Sequence, residues 1–233
     1  MDPQTATAPG RPVRLEAELD EPLSRWLWLV KWILLIPHFV VLFFLWLAFT
    51  AVTVIAFFAI LFTKRYPRAL FDFNVGVLRW QWRVSYYSYG AFGTDRYPPF
   101  SLGPEPDYPA RLDIARPERL SRGLVLVKWW LLAIPHYIVT GFFLGGYQGY
   151  RESWWWSTGL ITTLALFAAV AVAFTGTYPR GLFDLVVGLN RWVLRVGAYA
   201  ALLTDVYPPF RLDQGGAEDG TAGAGDVRGG ARP

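Results

Sequence analysis

The sequence predicts an all-α membrane protein of two tandem repeats. Each repeat is expected to be a transmembrane or re-entrant helical hairpin followed by a cytoplasmic interfacial amphipathic helix, with minor short β segments. Composition points there first: 54% of the 233 residues are hydrophobic and 17% charged, where a soluble domain carries about 25% charged residues. Clustering is the second observation. Trp26 to Phe62 holds one charge, Lys31, and Phe39 to Phe62 holds none; about 20 apolar residues cross a bilayer core. Thr158 to Thr177 is a second such run. The third is internal duplication: "LSRWLWLVKWILLIPHFVV" returns as "LSRGLVLVKWWLLAIPHYIV", and "TDRYPPFSL" as "TDVYPPFRL".

The expected boundaries are a disordered tail at 1–10, a first membrane repeat at 11–102, a linker at 103–109, a second repeat at 110–212 and a disordered Gly/Ala-rich tail at 213–233. The opening residues, "MDPQTATAPG", lack a basic n-region, and the apolar run behind them is too long for a signal-peptide core, so no cleaved signal is expected. With no Cys, disulfides, iron–sulfur clusters and thiol catalysis are excluded.

Each repeat opens with an alternating segment, "VRLEAEL" or "ARLDI", whose period of two predicts a strand. The apolar block follows. The offset between copies grows from 97 at Ser24/Ser121 to 112 at Tyr66/Tyr178, mostly through an insertion near Gly145–Ser157. Insertions fall in loops, so a turn is expected between the two halves of each block, near Phe44–Ala48 in the first. Charge distribution favours hairpins over single crossings. As hairpins, the blocks leave 21 of the 22 Lys and Arg on one side, Arg151 being the exception. Cytoplasmic segments collect such residues, so both termini are expected in the cytoplasm. A shallow re-entrant wedge is the alternative for the first block, whose halves barely reach across.

Lys31 and Lys128 are expected to snorkel to the cytoplasmic headgroups, with Trp26, Trp28, Trp32, Trp129 and Trp130 as interfacial anchors. Pro37 is expected to kink its helix. His38 and His136 are the only histidines and hold equivalent positions. They are expected to pair with freed carbonyls or a neighbouring helix; the functional alternative is a pair of haem ligands.

The mixed helix "YPRALFDFNVGVLRWQWRV" starts with Pro67 in its first turn. Asp72, Gly76, Arg79 and Arg83 form one stripe, repeated as Asp184, Gly188, Arg191 and Arg195, and Leu70, Phe73, Val77, Trp80 and Val84 lie opposite. The expectation is a helix in the interface with its arginines toward phosphates, or Arg79 paired with Asp72. "YPPF" at Tyr97 and Tyr207 ends each helix. The following "SL" and "RLD" are expected to pair with the alternating segments.

With "LFTKRYPRALFDFNVGVLRW" and "DRYPPF" in one copy, and "FTGTYPRGLFDLVVGLNRW" and "DVYPPF" in the other, the sequence resembles a bacterial integral-membrane family catalogued only as a domain of unknown function. Two-unit forms of this kind are typical of high-GC Gram-positive bacteria. The resemblance covers about residues 12–213 and implies residence in the membrane; it carries over no catalytic residue.

No metal-ligand spacing, nucleotide loop or nucleophile–base set occurs in the sequence. The functional expectation is a non-enzymatic accessory, scaffold or lipid-organising subunit of the bacterial cytoplasmic membrane, multi-pass, without cofactor, metal or nucleic acid. Its expected partners are membrane lipids and a membrane protein or further copies of itself, with Lys31, Arg79, Arg83, Lys128, Arg191 and Arg195 at headgroups. A small oligomeric transporter or channel is the alternative, with Gly141, Gly145, Gly146 and Gly149 allowing close helix approach. A lipid-acting enzyme using His38 and His136 is the third reading.

Overall fold

A computed structural model describes residues 12–145 and 159–215; the expected 1–10 tail, most of the 213–233 tail and the inserted segment around Arg151 lie outside them. The described chain is mostly helical and stacks in three layers, a small sheet, a middle layer of helices and an outer layer of apolar ones.

Both alternating segments are strands, β1 (Val13–Ala17) and β2 (Ala110–Ile114). They pair with each other, antiparallel, with Leu15 opposite Leu112 at the centre. The "SL" and "RLD" pieces are therefore not their partners. Val13, Leu15 and Ala17 alternate into the core, as do Ala110, Leu112 and Ile114.

The first apolar block differs from expectation. After a 3₁₀ turn at Leu27–Leu29 come a short α1 (Lys31–Leu34) and then α2 (Ile36–Thr63), one helix of 28 residues. No bend forms near Phe44–Ala48, where no Gly, Pro or polar turn interrupts the helical ladder. Pro37 does not kink α2 either: it occupies the first turn, where its missing N–H costs nothing. The break falls at Leu35, between α1 and α2. Lys64 ends α2 in the left-handed conformation, and Pro67 caps α3 (Arg68–Tyr87).

In the second half, α4 (Arg122–Val127) is capped by the Ser121 hydroxyl. Pro37 lies six positions after Lys31, but Pro135 lies seven after Lys128. The extra residue is absorbed as a π-helical turn at Lys128–Leu132. Then come α5 (Ile134–Leu144), α6 (Leu160–Thr175) and α7 (Arg180–Ala200). A Cβ built on Gly159 would lie 2.3 Å from the Leu144 carbonyl carbon and 2.5 Å from the Gly145 nitrogen, so α6 begins where α5 ends. Together with Gly159 they match α2 in length. The inserted segment thus interrupts one helix of the second half and has no counterpart turn in the first.

The middle helix α3 packs against α2 on one side and β2 on the other; α7 packs against α5, α6 and β1. Both faces of α3 are used. Val77, Trp80 and Val84 are buried, and so are Gly76 and Arg83 on the expected headgroup stripe. α3 is consequently a core helix, not an interfacial one with free arginines. Leu102 crosses it at Gly76, where a Cβ would lie 2.8 Å from the Leu102 carbonyl oxygen; Asp213 and Leu212 cross α7 in the same way at Gly188.

Candidate functional site

The Lys-Pro-His phrase and the Thr-Asp-X-Tyr-Pro-Pro-Phe motif meet in space, once in each half. In the first half Lys31 is fully buried. Its Nζ donates to the Thr94 carbonyl at 2.6 Å, pairs with Asp95 Oδ1 at 2.9 Å, and lies 4.2 Å from the ring centroid of Phe92 and 4.5 Å from that of Tyr87. Asp95 also accepts the Ser24 backbone N–H at 2.5 Å. In the second half Lys128 Nζ donates to the Thr204 carbonyl at 3.0 Å and to Asp205 at 2.8 Å, and Asp205 accepts the Ser121 N–H at 2.6 Å. Both ammonium groups face inward rather than reaching headgroups. A fully desolvated charge needs an opposite charge and hydrogen bonds close by, and here the Thr-Asp pair brings both.

The histidines sit one step further along. His38 Nδ1 accepts the Trp80 indole N–H at 2.9 Å, and its ring stacks on Phe100 at 3.9 Å with Tyr97 at 4.9 Å. His136 repeats this with Trp192 at 3.2 Å, Phe210 at 4.2 Å and Tyr207 at 4.9 Å. The Tyr97 hydroxyl donates to the Leu34 carbonyl at 2.9 Å and that of Tyr207 to Leu132 at 3.3 Å, covering carbonyls left open at the helix break. Each histidine is thus enclosed by its own half. An Nδ1 that accepts fixes the tautomer with the proton on Nε2. The Nε2 of each ring is buried and makes no hydrogen bond among the described residues. A haem-ligating histidine has the reverse arrangement, with Nδ1–H donating and Nε2 bare, so this geometry suits packing and not ligation.

This lock predicts a specific loss. Trp80→Phe keeps an aromatic ring but leaves His38 Nδ1 buried without its donor, at an expected cost of about 1–3 kcal/mol. Thermal unfolding of the purified chain measures it, and an unchanged midpoint would show that the indole bond contributes nothing.

The arginine stripe is spent on the chain's own carbonyls and carboxylates. Arg79 donates to the Leu112 carbonyl at 2.8 Å and to Asp113 at 2.7 Å, and not to Asp72, which is exposed. Arg83 donates to the carbonyls of Gly103, at 3.0 Å, and Ser101. Arg191 donates to the carbonyls of Leu15 at 2.9 Å and Asp213 at 2.6 Å, and Arg195 pairs with Asp213 at 2.7 Å. Burial works to raise the Asp213 carboxyl, yet Arg195 and Arg211 hold it below its ordinary value. Residues 213–215, counted with the tail above, are therefore part of the fold. All six expected headgroup cations are engaged by protein acceptors. The exposed basic residues are others, among them Lys64, Arg65, Arg68, Arg122 and Arg180 near helix ends.

Sequence reasoning missed Thr94–Asp95 and Thr204–Asp205. The available signal was their recurrence directly before both "YPPF" motifs, matched to a lysine recurring before both "IPH" triplets. Gly141 has open space around it, so it carries no close helix contact among the described residues; Gly146 and Gly149 lie outside them.

A family model described as "Domain of unknown function (DUF4389)" matches residues 25–101 and 154–211. No curated protein and no solved structure matches the chain.

Proposed function

We propose, from the premise that this chain belongs to the DUF4389 family, that it is a non-enzymatic scaffold lodged in the cytoplasmic leaflet of a bacterial plasma membrane, where it organises lipid. One observation carries this reading, the outer layer. Only five of the 28 residues of α2 are buried, His38, Leu42, Phe49, Ala56 and Ile60, in a single stripe against α3. Most of the remainder is apolar and faces outward, with Phe43 61% and Phe62 71% exposed. Phe142, Phe167 and Phe174 continue the surface across α5 and α6, and Trp26, Trp32, Trp129 and Trp130 stand exposed beside it. Soluble monomers rarely expose more than a few hundred Å² of contiguous apolar surface, whereas a leaflet would cover it.

A helix lying in the leaflet fits better than one crossing it. α2 is long enough to cross, but both its ends are tied to the same polar body. At its start Tyr97 holds Leu34; at its end Leu120 N–H donates to the Lys64 carbonyl at 2.8 Å and Arg122 to that of Phe62 at 2.5 Å. The layering supports the sheet and middle helices toward the cytoplasm, the outer layer immersed, and both termini on the cytoplasmic side. In-plane apolar faces sink about 5–10 Å into the headgroup–acyl boundary, which would displace lipid from one leaflet only. The non-enzymatic part rests on the candidate residues, since Lys31, Lys128, Arg79, Arg83, Arg191, Arg195 and both histidines are already committed to holding the fold.

The chain has no cysteine, so Leu47→Cys, on the exposed face of α2, gives a unique label. In intact cells it is expected to resist an impermeant thiol reagent, and in vesicles to be quenched by shallow rather than mid-bilayer probes. Labelling from outside would overturn the in-leaflet placement. Recovery of the chain in the aqueous fraction without detergent would overturn membrane residence.

A further inference from the structure

The two halves differ at one place that faces the outer layer. Each middle helix runs out into a turn before its Thr-Asp pair. In the first half that turn is Tyr89-Gly90-Ala91 ahead of Phe92; in the second a single residue, Ala201, stands ahead of Leu202. Phe92 and Leu202 match, each holding a positive φ, 54° and 66°. The second turn is thus two residues shorter. The residues leading into it are also smaller, with Gly197 and Ala200 where the first half has Ser85 and Ser88.

In the first half the longer turn fills the space beside α7. The Gly90 carbonyl accepts Asn190 Nδ2 at 2.7 Å, the Ala91 carbonyl accepts the Tyr178 hydroxyl at 3.0 Å, and Tyr89 donates its hydroxyl to the Trp28 carbonyl. On the related side, where Leu78 holds the position of Asn190, nothing equivalent arrives among the described residues. A groove of about 630 Å³ is left between α2 and the end of α7, walled by Phe49, Phe57, Leu78, Trp129, Gly197 and Ala201. Its volume lies in the range of small-molecule sites.

The lining sets the chemistry of an occupant. Most of its polar side-chain groups are already used: Thr50 and Thr53 hydroxyls donate back to the carbonyls of Trp46 and Phe49 at 2.9 and 2.8 Å, and the Trp46 indole donates to Gln81 at 3.2 Å, leaving the Trp129 indole N–H as the one polar group in the lining with no hydrogen bond among the described residues. Among the described residues no charged side chain lines it. Apolar cavities of this kind exclude water and accept apolar guests. The groove also opens onto the exposed face of α2 at Val54 and Phe58, within the layer read above as immersed in lipid.

We infer that this groove holds one acyl chain of a bilayer phospholipid, seated between the two halves where the shortened turn leaves α2 uncovered. The inference rests on the membrane reading above for its source of ligand. One specific lipid per chain, bound asymmetrically, is the consequence.

The test is native mass spectrometry of the full chain extracted from its membrane in mild detergent. The wild-type protein is expected to retain one phospholipid. Ala201→Tyr restores the bulk present in the other half, and Thr50→Trp blocks the groove from the exposed wall without disturbing the core. Each is expected to cut lipid occupancy at least tenfold with the far-ultraviolet circular dichroism spectrum of the folded chain unchanged. A wild-type protein free of lipid, or equal retention by Thr50→Trp, overturns the inference. Failure of the membrane reading looks different, as recovery of the chain in the aqueous fraction. There, a lipid displaced by the two substitutions would still count for the groove, and its absence against.

Discussion

Asp95→Ala is expected to be among the most damaging single substitutions in the chain. It removes the carboxylate from a lysine with no exposed surface, leaving the ammonium with the Thr94 carbonyl and two aromatic faces. Breaking a buried pair from one side costs about 3–5 kcal/mol. For a chain of this size that lowers the unfolding midpoint by on the order of 10 °C. Lys31→Met with Asp95→Ala is expected to recover most of the loss, because an uncharged chain of similar length no longer needs a counter-charge. Thermal unfolding of the full-length chain in detergent or nanodiscs, followed by near-ultraviolet circular dichroism, separates the two outcomes. If the single and double variants unfold together, the pair is not what holds α1 against the Thr-Asp turn.

Gly76→Ala tests the other constraint, with a sign that intrinsic preference would get wrong. Replacing an interior helical glycine by alanine ordinarily stabilises by about 1 kcal/mol. At Gly76 the new methyl would meet Leu102 backbone at 2.8 Å and its Cβ at 2.9 Å. The crossing segment is itself fastened by Arg83 to the Gly103 and Ser101 carbonyls, so it cannot shift cheaply. Overpacking of this kind costs about 1–3 kcal/mol and overrides the propensity gain. Gly181→Ala is the control, since that glycine is exposed in the first turn of α7 with nothing within 4 Å. It is expected to be neutral or slightly stabilising. Denaturant unfolding of both variants gives the comparison; a stabilised Gly76→Ala would remove the close crossing from the account.

Local signals in the sequence were legible and the partners of its polar residues were not. Alternation gave β1 and β2 because one face of each strand is buried. Duplication was visible because recurring phrases do the same structural work in each half, as the lysine, histidine and Tyr-Pro-Pro-Phe contacts make plain. The arginine stripe was read correctly as a stripe and assigned the wrong surroundings: periodicity says which residues share a face, and not whether a strand of the other half covers it. The bend in the first apolar block was borrowed from an insertion in the second. A helix can be interrupted in one copy and continuous in the other, because α6 resumes directly at the end of α5. The shortened turn at Ala201 was equally present in the sequence, yet a two-residue gap acquires meaning only once α2 is seen passing over it.

The central pairing of Leu15 with Leu112 has a consequence for how the chain came to be one chain. Arg79 of the first half holds the second half's strand at the Leu112 carbonyl, and Arg191 of the second holds the first half's strand at Leu15. Each half lends a strand edge to the other in a reciprocal exchange, the geometry of an isologous dimer. A polypeptide with a single such unit would be left with an unpaired strand and an empty arginine. It could complete itself by meeting a second copy head to head, and the tandem chain reads as that dimer made permanent by the 103–109 connection.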